Sequence, residues 1–173
     1  LGVYSHIESI RKPFLAKAFD NSNGTLYEGT VVDFYENWTG GFEHKFGPKK
    51  TGFAQLQALT TAIDIKDDAE AEEAIWKVLD QDAFYKFWAM EGLLSFWDGY
   101  SGNRNNFFVY HNPETNKLQF IPWGADAMFE TYSKLGEDPA SPRSVRTVGR
   151  LAYRLYQIPS AREHYAQTMQ QLL

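Results

Sequence analysis

The chain lacks cysteine and any long apolar run, and each absence excludes a class of structure. With no Cys among 173 residues, disulfide bonds and thiolate metal sites are excluded, and the sequence gives no information on redox compartment. No run of about 18 apolar residues occurs, so we expect no membrane span in this chain. The net charge of −5 provides no electrostatic basis for binding nucleic acid.

Aromatic residues, in contrast, are abundant, at 16% of a chain that is 43% hydrophobic. This composition and length predict a single domain, residues 1–173, with a packed core. The hydrophobic periodicity predicts an α+β fold in which helices are the majority. We expect strands over 2–8 and 25–34, a hairpin formed by 106–111 and 118–123, and helices over 10–19, 53–63, 67–79, 83–97, 143–157 and 160–173.

The segment SFWDGYSGNRNNFFVYHN, residues 95–112, places polar groups between two aromatic runs. On the predicted helix over 83–97 and just beyond its end, the helical period puts Glu91 and Asp98 on the same face as Phe84, Phe87 and Trp88. A buried carboxylate needs a partner, and we expect Glu91 to hold a loop N–H or an arginine. For Asp98, spacing alone leaves two interpretations open, a loop acid or a functional acid.

The order of polar residues around the predicted hairpin indicates one chemistry. Asp98 is followed eight residues later by Asn106, which opens the hairpin, and Asp126 follows twenty residues after that. Protein kinases use an acid, an amide and a second acid in this order to orient the acceptor hydroxyl and hold Mg²⁺ on ATP. Both gaps are longer than in the usual kinase motif, so the motif is not matched literally.

At these residues the chain resembles a known family. WDGYSGNRNNFFVYHNPETNKLQFIPWGAD (97–126) is similar to the signature of the CotH kinase family, atypical protein kinases named after a spore-coat protein. GVYSHIESIRKPFL (2–15) resembles the family's segment at the kinase hinge. LYEGTVVDF (26–34) and FEHKFG (42–47) resemble its next two blocks. The resemblance extends from Gly2 to Phe129, with the blocks in the family's order.

The resemblance implies an atypical protein-kinase-like fold, mostly the helical C-lobe with a hinge strand and a catalytic-loop hairpin. It implies transfer of the ATP γ-phosphate to Ser or Thr of a protein acceptor, with Mg²⁺ or Mn²⁺ as the metal. Asp98 corresponds to the acid that orients the acceptor hydroxyl. Asn106, with Asn105 beside it, corresponds to the metal-side amide, and Asp126 to the metal-binding acid of the D-F-G motif.

Two further positions and a location follow from the same resemblance. Arg104 is expected near the phosphates or as a lock on the loop, and Glu8, at the end of the hinge strand, near the adenine or ribose. A secreted, cell-surface or spore-coat location is suggested by family association alone; the residues themselves leave the location unknown.

The chain departs from the family pattern in two ways. Many members read Trp-Asp-Leu-Asp where this chain has Trp123-Gly-Ala-Asp126, so one acid is replaced by Gly124. The N-lobe lysine and phosphate loop that kinases need are not found before Gly2. We expect Lys45 to be structural, the N-lobe to lie outside this chain, and residues 1–173 alone to be inactive.

Two rival functions remain open. A kinase-like scaffold can serve as a non-catalytic surface binding or adhesion module, which the glycine at 124 favours and the retained Asp98, Asn106 and Asp126 oppose. Another Mg²⁺- and nucleotide-dependent transferase, such as a nucleotidyl transferase, can use the same ligands. Sequence alone does not separate these functions, because all of them keep nucleotide and metal ligands.

Overall fold

A computed structural model describes residue 2, residues 7–129 and residues 145–173. Within these ranges the chain is α+β, with a four-stranded antiparallel sheet in the order β2-β1-β3-β4. The strands are β1 (Thr25–Gly29), β2 (Glu43–Phe46), β3 (Phe107–Asn112) and β4 (Lys117–Pro122). The helices are α1 (Lys12–Phe19), α2 (Lys49–Asp64), α3 (Asp68–Val78), α4 (Gln81–Leu93), α5 (Tyr100–Asn103), α6 (Arg150–Gln157) and α7 (Pro159–Leu172).

The central strand, β3, separates two cores. All six of its side chains are buried, although alternate residues of a strand point to opposite faces of the sheet. Phe107 and Val109 face the larger core, which is formed with helices α2, α3, α4, α6 and α7. Phe108 and Tyr110 face a smaller core under α1. The sheet is therefore covered on both faces.

Local signals account for where several helices begin. Asp67 caps α3 by accepting a hydrogen bond from the Glu70 N–H at 3.0 Å, and Asp80 caps α4 through the Ala83 N–H at 3.1 Å. A side-chain oxygen at this position satisfies an amide that has no partner within the helix. Pro13 lies in the first turn of α1, where its missing N–H has no consequence.

Several predicted boundaries were wrong. The strand over 25–34 ends at Gly29, because Val31 adopts φ 48° and the chain turns away from the sheet. The helix over 83–97 ends at Leu93, and residues 145–149 precede the last-but-one helix rather than belonging to it. Most of the predicted strand over 2–8 lies outside the described residues, and residues 2, 7 and 8 are not in a strand.

Candidate functional site

Asp98 lies in the segment between α4 and β3, residues 94–106, here called the polar loop. Its carboxylate accepts hydrogen bonds from three asparagine side chains: Asn103 at 2.6 Å, Asn106 at 2.8 Å, and Asn105 at 3.3 Å to each oxygen. The structure thus brings Asp98, Asn105 and Asn106 together. Asn103, which sequence reasoning missed, joins them because α5 places it one turn after Asp98.

The backbone of the polar loop differs from the helical extension that we predicted. Ser95, Arg104 and Asn106 all have φ between 51° and 57°, the left-handed region that asparagine tolerates better than most residues. The helical period predicted that Asp98 continues the buried face of α4, and this prediction was wrong. Asp98 is half-buried in a turn just before α5.

Glu91, on α4, anchors the polar loop from within the core. Its buried carboxylate accepts the backbone N–H groups of Tyr100 and Ser101, each at 2.8 Å, and the Ser101 hydroxyl at 2.5 Å. Burial raises the pKa of Glu91 to about 7, although these hydrogen bonds and the charge of Arg146 oppose the shift. The expectation that Glu91 holds a loop N–H is confirmed.

Asp33 is a second buried acid, which the sequence interpretation missed. It accepts hydrogen bonds from the Phe34 N–H at 2.8 Å, the Tyr100 hydroxyl at 3.0 Å and the Arg150 N–H at 2.8 Å. Burial raises its pKa, while these hydrogen bonds and the charge of Arg104 act in the opposite direction. An acid after two valines in a β-rich stretch was the available signal.

The hairpin brings the segment after β4 back to the polar loop. Phe107 pairs with Pro122, and the Trp123 N–H donates to the Asn106 carbonyl at 3.0 Å. Gly124 has φ 57°, and a Cβ there would lie 3.0 Å from Cγ of Asn106. The residues after β4 therefore lie directly against Asn106, in agreement with the predicted pairing of hairpin ends.

Asp126 lies two residues further on, in a 3₁₀ turn formed by Ala125–Ala127. We call residues 123–127 the exit turn. The Asp126 side chain is exposed, and within the described ranges it has no hydrogen-bond or ion-pair partner. Asp126 thus follows directly after the residues that lie against Asn106. Within the described residues, no hydrogen bond or ion pair joins Asp126 to Asp98 or Asn106.

Three other predicted or excluded positions lie outside this cluster. Glu8 is exposed and forms an ion pair with Lys17 of α1 at 3.6 Å. Arg104 makes no side-chain hydrogen bond within the described residues, and its guanidinium lies 5.5 Å from the centre of the Trp38 ring. Its backbone carbonyl accepts the Val32 N–H at 3.1 Å, which ties the polar loop to the segment after β1. Lys45 pairs with Glu28 and Glu43, each at 2.9 Å, in agreement with a structural role.

The asparagine side chains around Asp98 keep oxygen atoms of the kind that bind hard cations such as Mg²⁺. The side-chain oxygen of Asn105 is buried and has no hydrogen-bond partner in the described residues. Asn106 donates its NH₂ group to Asp98, which leaves its oxygen for a cation. Among the described residues, no group of three or more His, Cys, Asp or Glu is arranged around a metal position. Mg²⁺ requires only one or two carboxylates when phosphates and water complete its shell.

Comparison with known proteins now places the chain. The model of one family, described as CotH kinase protein, matches residues 1–173. The chain belongs to the CotH kinase family. This membership confirms the resemblance read from the residues 97–126 and from the earlier blocks.

Two curated relatives give the extent of the similarity. Inner spore coat protein H of Bacillus subtilis (strain 168) is 27% identical over 137 residues, which are 73% of this chain and 37% of that protein. Invasin CotH2 of Rhizopus delemar is 28% identical over 118 residues, 66% of this chain and 20% of that protein. The matched part of the chain thus spans well under half the length of either relative.

No helix within the described residues is both long and apolar enough to cross a membrane.

Proposed function

We propose that the protein containing this chain transfers the γ-phosphate of ATP to a Ser or Thr hydroxyl of a protein acceptor, with Mg²⁺ bound, on a kinase-like C-lobe. The observation that carries the proposal is the hydrogen bond between Asp98 and Asn106 at the head of a hairpin whose other end leads to Asp126. Family membership supports the same reaction class.

In this proposal Asp98 orients the acceptor hydroxyl. Three asparagine amides hold its carboxylate, and the two contacts from Asn105 are the longest, at 3.3 Å each. An acceptor hydroxyl can replace these weak contacts without disturbing Asn103 or Asn106. The hydroxyl oxygen then bonds to the γ-phosphorus, the bond to the β–γ bridging oxygen breaks, ADP leaves, and the hydroxyl proton is released towards Asp98.

The side-chain oxygens of Asn106 and Asn105 and the carboxylate of Asp126 are the groups of this chain that hold Mg²⁺ in the proposal. When bound, Mg²⁺ neutralises phosphate charge and aligns the β- and γ-phosphates. The oxygen of Asn105 and the exposed carboxylate of Asp126 support this assignment, because neither has a hydrogen-bond partner within the described residues.

The test is phosphate incorporation from radiolabelled ATP by the full-length protein, compared with its Asp98→Ala and Asp126→Ala variants. We expect labelling to fall at least about 100-fold in both, since each removes a group aligned with the reacting atoms. Asp82→Ala is the matched control, because Asp82 is an exposed acid on α4 paired only with Lys86. Equal labelling in all four proteins would reject the site assignments.

A non-catalytic binding module is the second candidate function, and Gly124 favours it. Glycine at this position removes an acid that many family members have, and in the described residues no three-acid cluster replaces it. Isothermal titration with Mg²⁺ and ATP separates the two functions. No nucleotide binding by a folded full-length protein would favour the binding module.

A further inference from the structure

A cleft beside the polar loop is assigned no role by the chemistry proposed above. It has a volume of about 520 Å³, and Arg104 of the polar loop is among its lining residues. We call it the aromatic cleft. It is lined by Tyr35, Glu36, Asn37, Trp38, Asp64, Arg104 and Arg150.

The cleft presents two exposed aromatic rings, each covered on one side by an arginine. Tyr35 is 39% exposed and Trp38 is 42% exposed, and their ring centres are 5.3 Å apart. The Arg150 guanidinium lies 4.5 Å from the Tyr35 ring, and that of Arg104 lies 5.5 Å from the Trp38 ring. Tyr, Trp and Arg are the residues most often found at the energetic centres of protein interfaces.

The two arginines differ in how their donors are used. Arg150 donates to the Phe34 carbonyl and to the Asp64 carboxylate. Arg104 has no side-chain hydrogen bond in the described structure, and its Nε is fully buried without a partner. A buried donor without an acceptor is unfavourable. Because Nε is enclosed, an acceptor from outside the fold would bind the terminal NH₂ groups of this half-buried side chain, which also have no hydrogen bond in the described residues.

The charges around the cleft define what that acceptor must be. Asp64 forms an ion pair with Arg150. The buried Asp33 interacts electrostatically with Arg104, but its oxygen atoms accept hydrogen bonds from Phe34, Tyr100 and Arg150. Glu36 is exposed on the same cleft. The arrangement suits an anionic group at Arg104 and disfavours one at Glu36.

The backbone next to the cleft is strained on its exposed side. Val31 is 61% exposed with φ 48°, a conformation that β-branched residues rarely adopt. It lines a second hollow of about 250 Å³ that shares Asn37 and Trp38 with the aromatic cleft. Strain of this kind is typical of binding surfaces. The two hollows therefore adjoin at Asn37 and Trp38, next to the Arg104 side chain.

We propose that the aromatic cleft docks an extended segment of a partner protein. An acidic side chain of this segment pairs with Arg104, and an adjacent apolar side chain packs on Trp38 towards Val31. Residues near Glu36 are neutral or basic. The docking does not depend on phosphoryl transfer by the neighbouring site. If that transfer occurs, Arg104 connects the two sites, since Asn103 and Asn105 on either side of it both bind Asp98.

Two nine-residue peptide libraries test the proposal. One has Glu fixed at the centre and the other has Gln, with randomised flanks, and retention on the immobilised full-length protein is measured. We expect at least tenfold preference for the Glu library, since hydrogen bonds to charged groups are the strong ones. A version of the best peptide with phosphoserine in place of the central Glu tests whether a phosphate group is retained as well as a carboxylate. Arg104→Gln should abolish the preference, and Glu36→Gln should strengthen retention.

Arg162→Gln is the matched control, because Arg162 is stacked 5.7 Å from the Tyr156 ring on another surface and should leave retention unchanged. Circular dichroism verifies that each variant is folded. Equal retention of the Glu and Gln libraries, or no retained peptide, would overturn the proposal. So would a saturable shift of the Arg104 Nε–H resonance by ATP that competes with the best peptide, because Arg104 would then bind nucleotide phosphate.

Discussion

The polar loop and the exit turn form the two sides of the candidate site, and they differ in how the fold supports them. The polar loop is held from the core by Glu91 and Asp33, and its own acid, Asp98, accepts hydrogen bonds from three asparagine amides. The exit turn contacts the loop through Trp123 and Gly124, while its acid, Asp126, is exposed. The acid of the polar loop is held by hydrogen bonds within the fold, whereas the acid of the exit turn is exposed to solvent.

The difference follows from where water is excluded. Buried carboxylates such as Glu91 are tolerated only when the backbone supplies hydrogen bonds, so burial and loop geometry stabilise each other. Asp126 keeps its solvent and needs no such partner. We infer that the polar loop is preorganised, and that in the proposed function the exit turn gains its partners when ligands bind.

Truncating an acid on each side of the site gives the largest expected contrast. Glu91→Ala leaves the N–H groups of Tyr100 and Ser101 buried without acceptors, which should lower the free energy of unfolding by about 3 kcal/mol or more. Asp126→Ala should change it by no more than about 0.5 kcal/mol. Urea unfolding of both variants measures the contrast. Similar losses would mean that the exit turn is anchored as firmly as the polar loop.

The pH dependence of stability sharpens the same comparison. Glu91 has a pKa of about 7 in the folded chain against an ordinary value of 4.5, so the folded state binds more protons between these pH values. Its contribution therefore lowers the free energy of unfolding as pH rises from about 4.5 to 7, by about 3 kcal/mol. Above pH 7 this contribution is constant.

Glu91→Gln should remove that slope, leaving the smaller one of the same sign from Asp33, whose pKa burial also raises. Urea midpoints measured at intervals from pH 4.5 to 8 test this. Glu163→Gln, an exposed position on α7, serves as the control and should keep the wild-type slope. An unchanged slope in Glu91→Gln would show that the buried carboxylate does not govern loop stability.

A methyl group at Gly124 probes the contact between the two sides, with an expected effect smaller than that of Glu91→Ala. Gly124→Ala adds a Cβ about 3.0 Å from the Asn106 amide at a left-handed φ of 57°, which should lower the free energy of unfolding by about 1–2 kcal/mol. It should also shift the Asn106 side-chain amide resonances. Gly40→Ala is the control, because nothing lies within 4 Å of the added Cβ.

Sequence patterns predicted the parts of the fold that depend on near neighbours. The hairpin followed from apolar strands around a turn-forming segment. For α4, the sequence offered Asp80 or Asp82 as the cap, and the structure uses Asp80. The end of α4 was not predictable in this way. Helical periodicity continues past Leu93, but the bonds from Glu91 to Tyr100 and Ser101 require the chain to leave the helix.

The same distinction holds for the candidate site. The order Asp98, Asn106, Asp126 and the family resemblance indicated which residues form the candidate site, and their assigned roles stay predictions. The contact of Asn103 with Asp98 depends on the turn of α5, which no period in the sequence marks. The direction of Arg104, towards Trp38 rather than Asp98, depends on its left-handed backbone.

The sequence by itself determined the α+β class, the hairpin and membership of the CotH kinase family, because these depend on local spacing and on the identity of residues. Only the tertiary structure decided that Glu91 and Asp33 anchor the polar loop, that Asp126 remains exposed, and that Arg104 opens onto a separate cleft. Burial decides these outcomes. Whether a carboxylate is desolvated depends on contacts between residues far apart in the chain, such as Asp33 with Tyr100 and Arg150.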